Sequence, residues 1–139
     1  MNREIKFRGK RVDNDEWTYG YLVFSEDYMF DYSCRIDIPY IIPIDNFNLK
    51  DYRKYRVDEE TIGQYTSLKD KNGKEVYEGA IVMFDYEWTK PTETGVVTWN
   101  NENASFQIKG HIPSSSMKHL YQMKVIGNIY ERGVTNAKD

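Results

Sequence analysis

Cysteine appears once in this chain, at Cys34, and histidine twice, at His111 and His119. A single cysteine forms no intrachain disulfide and leaves no CxxC pair for a zinc or redox centre, which suits a reducing compartment. The two histidines lie eight residues apart, without the i, i+4 spacing or neighbouring cysteine that marks a metal pair. Long apolar runs are missing too. The most apolar stretch, residues 36–44, is interrupted by Asp37, Pro39 and Pro43 and falls well short of the roughly 20 residues of a membrane span. Near the N-terminus, charges alternate with apolar residues in Arg3-Glu4-Ile5-Lys6-Phe7-Arg8, so the apolar core of a secretion signal is lacking. A soluble cytoplasmic protein with no membrane partner is expected. Neither sign of charge dominates: 19 Lys and Arg against 22 Asp and Glu leave −3, which indicates neither a basic nucleic-acid-binding composition nor a strongly acidic DNA mimic overall.

Aromatics are abundant, with twelve Tyr, six Phe and three Trp making 15% of 139 residues. These residues fit a half-buried pleated surface better than a helix. The length suits one domain that can bury a core unaided. No internal repeat, linker or low-complexity run divides it. The expectation is a single α+β domain, mainly β, over residues 1–131, with 132–139 as a polar C-terminal tail.

Periodicity gives the elements. Ile5 and Phe7 alternate with charges, the turn-forming Asp13-Asn14-Asp15 follows, and Trp17, Tyr19, Tyr21 and Val23 share a period of two, so residues 4–24 read as a hairpin. Gly20, within its second strand, signals a bulge or a close backbone approach. Short strands are predicted at residues 35–38 and 40–42, and a short helix between residues 46 and 55 that brings Phe47 near Tyr52 or Tyr55. Residues 61–65 are β-rich, and Asn72-Gly73 suits a type I′ hairpin turn. Strands follow at 81–86, 95–99 and 106–108, separated by polar loops as in a small barrel. Pro113-Ser114-Ser115-Ser116 caps a predicted short helix in which Met117, Leu120 and Tyr121 fall at i, i+3 and i+4. Residues 125–130 read as the last strand.

No catalytic, metal-binding or cofactor-binding constellation emerges. Asp70-Lys71-Asn72-Gly73-Lys74 lacks the alternate oxygen ligands of a calcium loop. A phosphate loop is excluded as well, because its first glycine falls at Leu68 and Glu75 stands where Ser or Thr is required. Those residues read as a turn. Cys34 is a nucleophile only if a histidine folds beside it, and an enzyme using Cys34, His111 or His119 ranks last of the readings. Charge is unevenly spread: residues 1–11 carry +4 and residues 50–56 carry +3, within an otherwise acidic N-terminal half. Arg3, Lys6, Arg8, Lys10 and Arg11, joined by Arg53, Lys54 and Arg56 with Tyr52 and Tyr55, are therefore candidates for a phosphate-contacting surface with stacking aromatics. Against it stands the reading that these cations pair with nearby acids on solvent-facing surfaces.

Three stretches resemble the YopX family, small proteins encoded by phages and prophages. They are Arg3-Glu4-Ile5-Lys6-Phe7-Arg8-Gly9-Lys10 with Trp17-Thr18-Tyr19-Gly20-Tyr21-Leu22, the run from Thr61-Ile62-Gly63-Gln64-Tyr65-Thr66 through Lys69-Asp70-Lys71-Asn72-Gly73-Lys74 to Tyr77-Glu78-Gly79, and Val125-Ile126-Gly127-Asn128-Ile129-Tyr130-Glu131. Two positions depart from the family pattern, Ser67 where glycine is common and Ala80 where aspartate commonly follows the Glu-Gly pair. The resemblance implies a β-rich α+β fold whose C-terminal half, about residues 61–131, is an SH3-like barrel. It implies no reaction and carries over no catalytic residue. The leading expectation is a non-enzymatic phage-type accessory protein of the bacterial cytoplasm that binds a host or phage protein, with self-association into a homo-oligomer also open. The alternative is a nucleic-acid-binding module using the N-terminal basic patch.

Overall fold

The computed structural model describes residues 3–29, 31–45, 49–86, 93–110, 115–116 and 120–131. The described chain is mostly β, in two antiparallel sheets. It divides between Gln64 and Tyr65 into two compact units, so the division falls inside strand β4 (Gly63–Lys69).

In the first unit, β1 (Phe7–Lys10), β2 (Trp17–Met29) and β3 (Cys34–Pro43) form an antiparallel meander. The β1–β2 hairpin lies where alternation places it. Its turn is held by Arg11 N–H donating to the Glu16 carbonyl at 2.9 Å and by Glu16 N–H donating to Asn14 Oδ1 at 3.0 Å, the side-chain capping that makes Asn and Asp good turn residues. Where two short strands are predicted, β3 is continuous through Pro39. The Pro39 carbonyl points away from β2 and accepts Val57 N–H at 3.2 Å. Backbone polar groups of one residue point to the same side of an antiparallel strand, so the missing proline N–H lies on the outer edge and no β2–β3 bond is lost.

Gly20 makes the close approach that its position suggests: a Cβ there would collide with the Ile42 carbonyl. A 3-10 helix, η1 (Leu49–Tyr55), occupies the region predicted helical, but it is broken at Asp51. Its Tyr52 ring meets Tyr40 edge-on at 4.8 Å; Phe47 lies outside the described residues. A second 3-10 turn, η2 (Glu59–Thr61), takes Thr61 out of the predicted strand. Asp58 caps it by accepting Glu60 N–H at 3.1 Å, and Thr61 Oγ1 accepts Lys10 N–H at 2.8 Å. The core of this unit has two faces: Ile38, Tyr40 and Ile42 pack with Val23, Ile36 and Tyr52, and Ile41 and Val57 close over Gly9 on the other.

The second unit holds the rest of β4, β5 (Glu75–Tyr77), β6 (Ala80–Tyr86), β7 (Glu93–Asn100), β8 (Ser105–Gly110), β9 (Ser115–Ser116) and β10 (Leu120–Asn128). The last five pair in the order β10-β6-β7-β8-β9. The mainly β expectation holds, and among the described residues neither sheet closes on itself. The predicted helix beyond Pro113 is replaced: Ser115–Ser116 pair with Gln107 and Ile108, and Leu120 already pairs with Tyr86. Met117 lies outside the described residues. The edge of β6–β8 offers ladder hydrogen bonds, which a short isolated helix cannot match. Val76, Ala80, Val82, Phe84, Val97 and Ile108 form the core, with Phe106, Met123 and Val125 against it; each large buried side chain contributes about 1.5 to 3 kcal/mol.

The β4–β5 turn differs from a two-residue type I′ connection. Gly73 N–H donates to the Asp70 carbonyl at 2.9 Å and Gly73 takes a φ of +82°, which fits a longer turn ending in a glycine bulge. Asp70 explains the choice. Its Oδ1 accepts the N–H groups of Asn72 and Lys74, each at 2.9 Å, while Oδ2 accepts Val125 N–H at 2.9 Å. Lys71 N–H reaches the Met123 carbonyl at 2.9 Å, so the turn covers the outer edge of β10. Burial pushes the Asp70 carboxyl upward, but the bonds from Val125, Lys74 and Asn72 outweigh it and hold the group below its ordinary value.

Candidate functional site

Two features of the first unit have the composition of a binding surface. One is the face of β1 and β2 that carries cations beside aromatics. Arg8 opposes Tyr19 and Lys10 opposes Trp17 across the ladder, placing all four side chains on one side of the sheet. The Arg8 guanidinium lies 4.8 Å from the Trp17 ring centroid and Lys10 Nζ lies 5.7 Å from it, within cation–π range. Tyr19 and Tyr21 on this side are 46% and 44% exposed.

The structure brings the two basic segments together at one ring: Arg11 approaches Tyr55 at 5.3 Å and Lys54 approaches it at 5.2 Å. Acids accompany most of these cations. Lys6 pairs with Glu4 at 3.2 Å, Lys10 with Asp15 at 3.8 Å and Lys54 with Asp51 at 3.1 Å. Arg11 grips Asp13 with two bonds of 2.9 and 2.6 Å. That hydrogen bonding raises the Arg11 value and lowers the Asp13 carboxyl. Bonding to Arg53 first, then to Ser25, lowers the Tyr52 hydroxyl. Arg8 is buried, whereas Arg3, Arg53 and Arg56 are exposed.

The second feature is a cleft of about 470 Å³ along the outer edge of β3. Its origin is a strand that stops early. Arg56 bridges Tyr40 and Val57 bridges Arg11, so residues 56 and 57 begin to pair along β3. Asp58 then turns away, donating its N–H to the Lys10 carbonyl at 2.8 Å, and η2 begins. Residues 36–39 of β3 line a gap together with Arg11, Val12, Asp15 and residues 56–59. Asp15, Asp37, Asp58 and Glu59 outnumber Arg11 and Arg56 there. These acids carry no motif; only the pairing of residue 57 with two strands assembles them, a contact that no local pattern announces.

Cys34 is exposed at the start of β3, while His111 and His119 lie outside the described residues. Among the described residues no three His, Cys, Asp or Glu side chains converge as metal ligands, and no helix is long and apolar enough to cross a membrane. In the second unit Trp99 is 43% exposed and lies edge-on to Phe106 at 5.0 Å, its Nε1–H held by Asn101 Oδ1 at 2.8 Å. Ala80, at the position where aspartate is common in the family, is buried in the apolar core. Ser67, at the position where glycine is common, has a φ of +74°. The family described as YopX protein matches residues 6–134. No curated protein matches the chain.

Proposed function

Because the chain belongs to the YopX family over nearly its whole length, we propose that it is a phage-type accessory protein that works without catalysis in the bacterial cytoplasm, by binding another protein. The observation that carries this reading is the run of exposed aromatics on β2 and the turn after it. Phe24, Tyr28 and Tyr32 are 47% to 82% exposed, and Phe24 and Tyr28 share the face of β2 opposite to that of Tyr19 and Tyr21. Single exposed apolar side chains are ordinary, but several on one strand match the aromatic enrichment of protein interfaces. Capture of a host or phage protein by the full chain, compared with a Phe24→Ser, Tyr28→Ser double variant, tests the reading. The variant is expected to lose the partner while keeping its circular dichroism. Equal capture by a folded variant, or no capture by the wild type, overturns it.

The nucleic-acid alternative draws on Arg3, Lys6, Arg8, Lys10, Arg11, Tyr52, Arg53, Lys54 and Arg56. Carboxylates beside Lys6, Lys10, Arg11 and Lys54 weaken the positive field it needs. Light scattering of the full chain, with and without mixed-sequence DNA at low salt, separates the two. Protein binding predicts a mass unchanged by DNA, and the same measurement without DNA reads whether the chain is a homo-oligomer.

A further inference from the structure

The edges of the two units are treated differently. The outer edge of β10 is covered by the Asp70 turn, which occupies Val125 N–H and the Met123 carbonyl. On the outer edge of β3, residues 56 and 57 reach only Pro39 and Tyr40, and among the described residues no strand pairs with that edge from Cys34 to Ile38. Pro39 points its carbonyl outward, so by alternation Arg35 and Asp37 also turn their N–H and C=O groups outward. An uncovered edge of this kind accepts another strand unless something blocks it. Here the cleft continues the line that residues 56 and 57 begin, and it leaves room where Asp58 departs.

We infer that an extended, basic segment of a partner protein adds to the outer edge of β3, bonding to the backbone of Arg35 and Asp37 and laying Lys or Arg side chains against Asp15, Asp37, Asp58 and Glu59. Edge addition takes its affinity from main-chain bonds and its specificity from alternate side chains; with Asp15 paired to Lys10, Asp37 to Arg35 and Arg11 to Asp13, it is Asp58 and Glu59 against Arg56 that select for positive charge. Pro39 limits the register, because no bond can be donated from its nitrogen; the added strand lies beside residues 34–38. The inference rests on the protein-binding reading above and gives it a site and a partner chemistry.

The test uses the full chain labelled with nitrogen-15 and two fluorescent peptides of about eight residues, one alternating Lys and Val, the other Glu and Val. The Lys–Val peptide is expected to shift the amides of Arg35 and Asp37 and to bind at least about tenfold more tightly than the Glu–Val peptide. Asp37→Pro removes the outward donor at an edge position, where proline is tolerated, and it is expected to weaken the Lys–Val peptide by about tenfold or more. If that variant does not fold, Asp37→Lys with Glu59→Lys serves instead, and it is expected to reverse the preference between peptides. Equal affinity for both peptides, shifts elsewhere than β3, shifts there caused by DNA alone, or a folded Asp37→Pro variant that binds as well as wild type each overturn the inference. Partner capture that depends on Phe24 and Tyr28 but survives Asp37→Pro overturns edge addition and leaves the protein-binding reading standing. A wild type that binds neither peptide nor partner overturns both.

Discussion

Ser67 holds a φ of +74° within β4, a conformation that costs a residue with a Cβ about 1 to 2 kcal/mol. The strain has a local cause. Tyr65 pairs with Tyr77 and Lys69 with Glu75, so β4 carries two residues more than its partner between those pairs. The excess is absorbed around Ser67, while Thr66 Oγ1 donates to the Val76 carbonyl at 2.8 Å and accepts Leu68 N–H at 3.2 Å. Ser67→Gly is expected to stabilise the protein by about 0.5 to 1 kcal/mol, the relieved strain being offset in part by a freer unfolded chain; urea denaturation reads the change. At Asp70 the expectation has the opposite sign. Asp70→Asn keeps one acceptor oxygen but turns an NH2 group toward Val125 N–H, and it is expected to cost about 1 to 3 kcal/mol. Because the folded carboxyl lies below its unfolded value, its contribution is present above the ordinary carboxylate value and is lost as pH falls through the folded value. Wild-type stability should therefore decline below about pH 4 more than that of Asp70→Asn.

At the scale of elements, the β2–β3 ladder depends on Gly20. Gly20→Ala drives a methyl group into the Ile42 carbonyl, and backbone on both sides must move. A loss of about 2 to 4 kcal/mol is expected, measured by thermal or urea unfolding. This glycine is legible in the sequence because an isolated glycine weakens an alternating strand unless a bulge or a neighbouring backbone requires it. The β1–β2 hairpin is legible for a similar reason: alternation and a polar turn are local signals. The helix expected after Pro113 shows where such signals fail. Leu120 and Tyr121 have helical spacing with Met117, yet both belong to β10, because β6 supplies a ladder of bonds that a window of a few residues does not contain. The continuity of β3 through Pro39 is hidden likewise, since only its edge position tolerates that residue.

For the whole molecule, the two cores share no residue among those described: Ile38, Tyr40 and Ile42 in one unit, Val76, Val82 and Phe84 with their neighbours in the other. Hydrogen exchange should therefore respond unit by unit. Gly20→Ala is expected to accelerate exchange at Ile41 and Ile42 more than at Val76 and Val82; equal acceleration would mean a single cooperative unit. The basic residues and aromatics of the candidate surface are visible in the sequence as a charge imbalance, and the fold brings Arg11 and Lys54 to one tyrosine. The acids that accompany them are legible as well, because Glu4, Asp13, Asp15 and Asp51 each pair with a cation within five residues; what composition does not encode is the gathering of Asp37, Asp58 and Glu59 at the cleft, which depends on the strand edge that Val57 reaches.

The Asp70 carboxylate joins a turn to a strand 55 residues further along the chain. The turn is local and forms within microseconds, whereas β10 must be brought home across the whole second unit. The bond to Val125 is therefore expected to form after the rate-limiting barrier. Stopped-flow kinetics of Asp70→Asn should show nearly unchanged refolding and faster unfolding. In that sense Asp70 does not guide the chain to its fold; it sets how long the finished sheet keeps its edge strand.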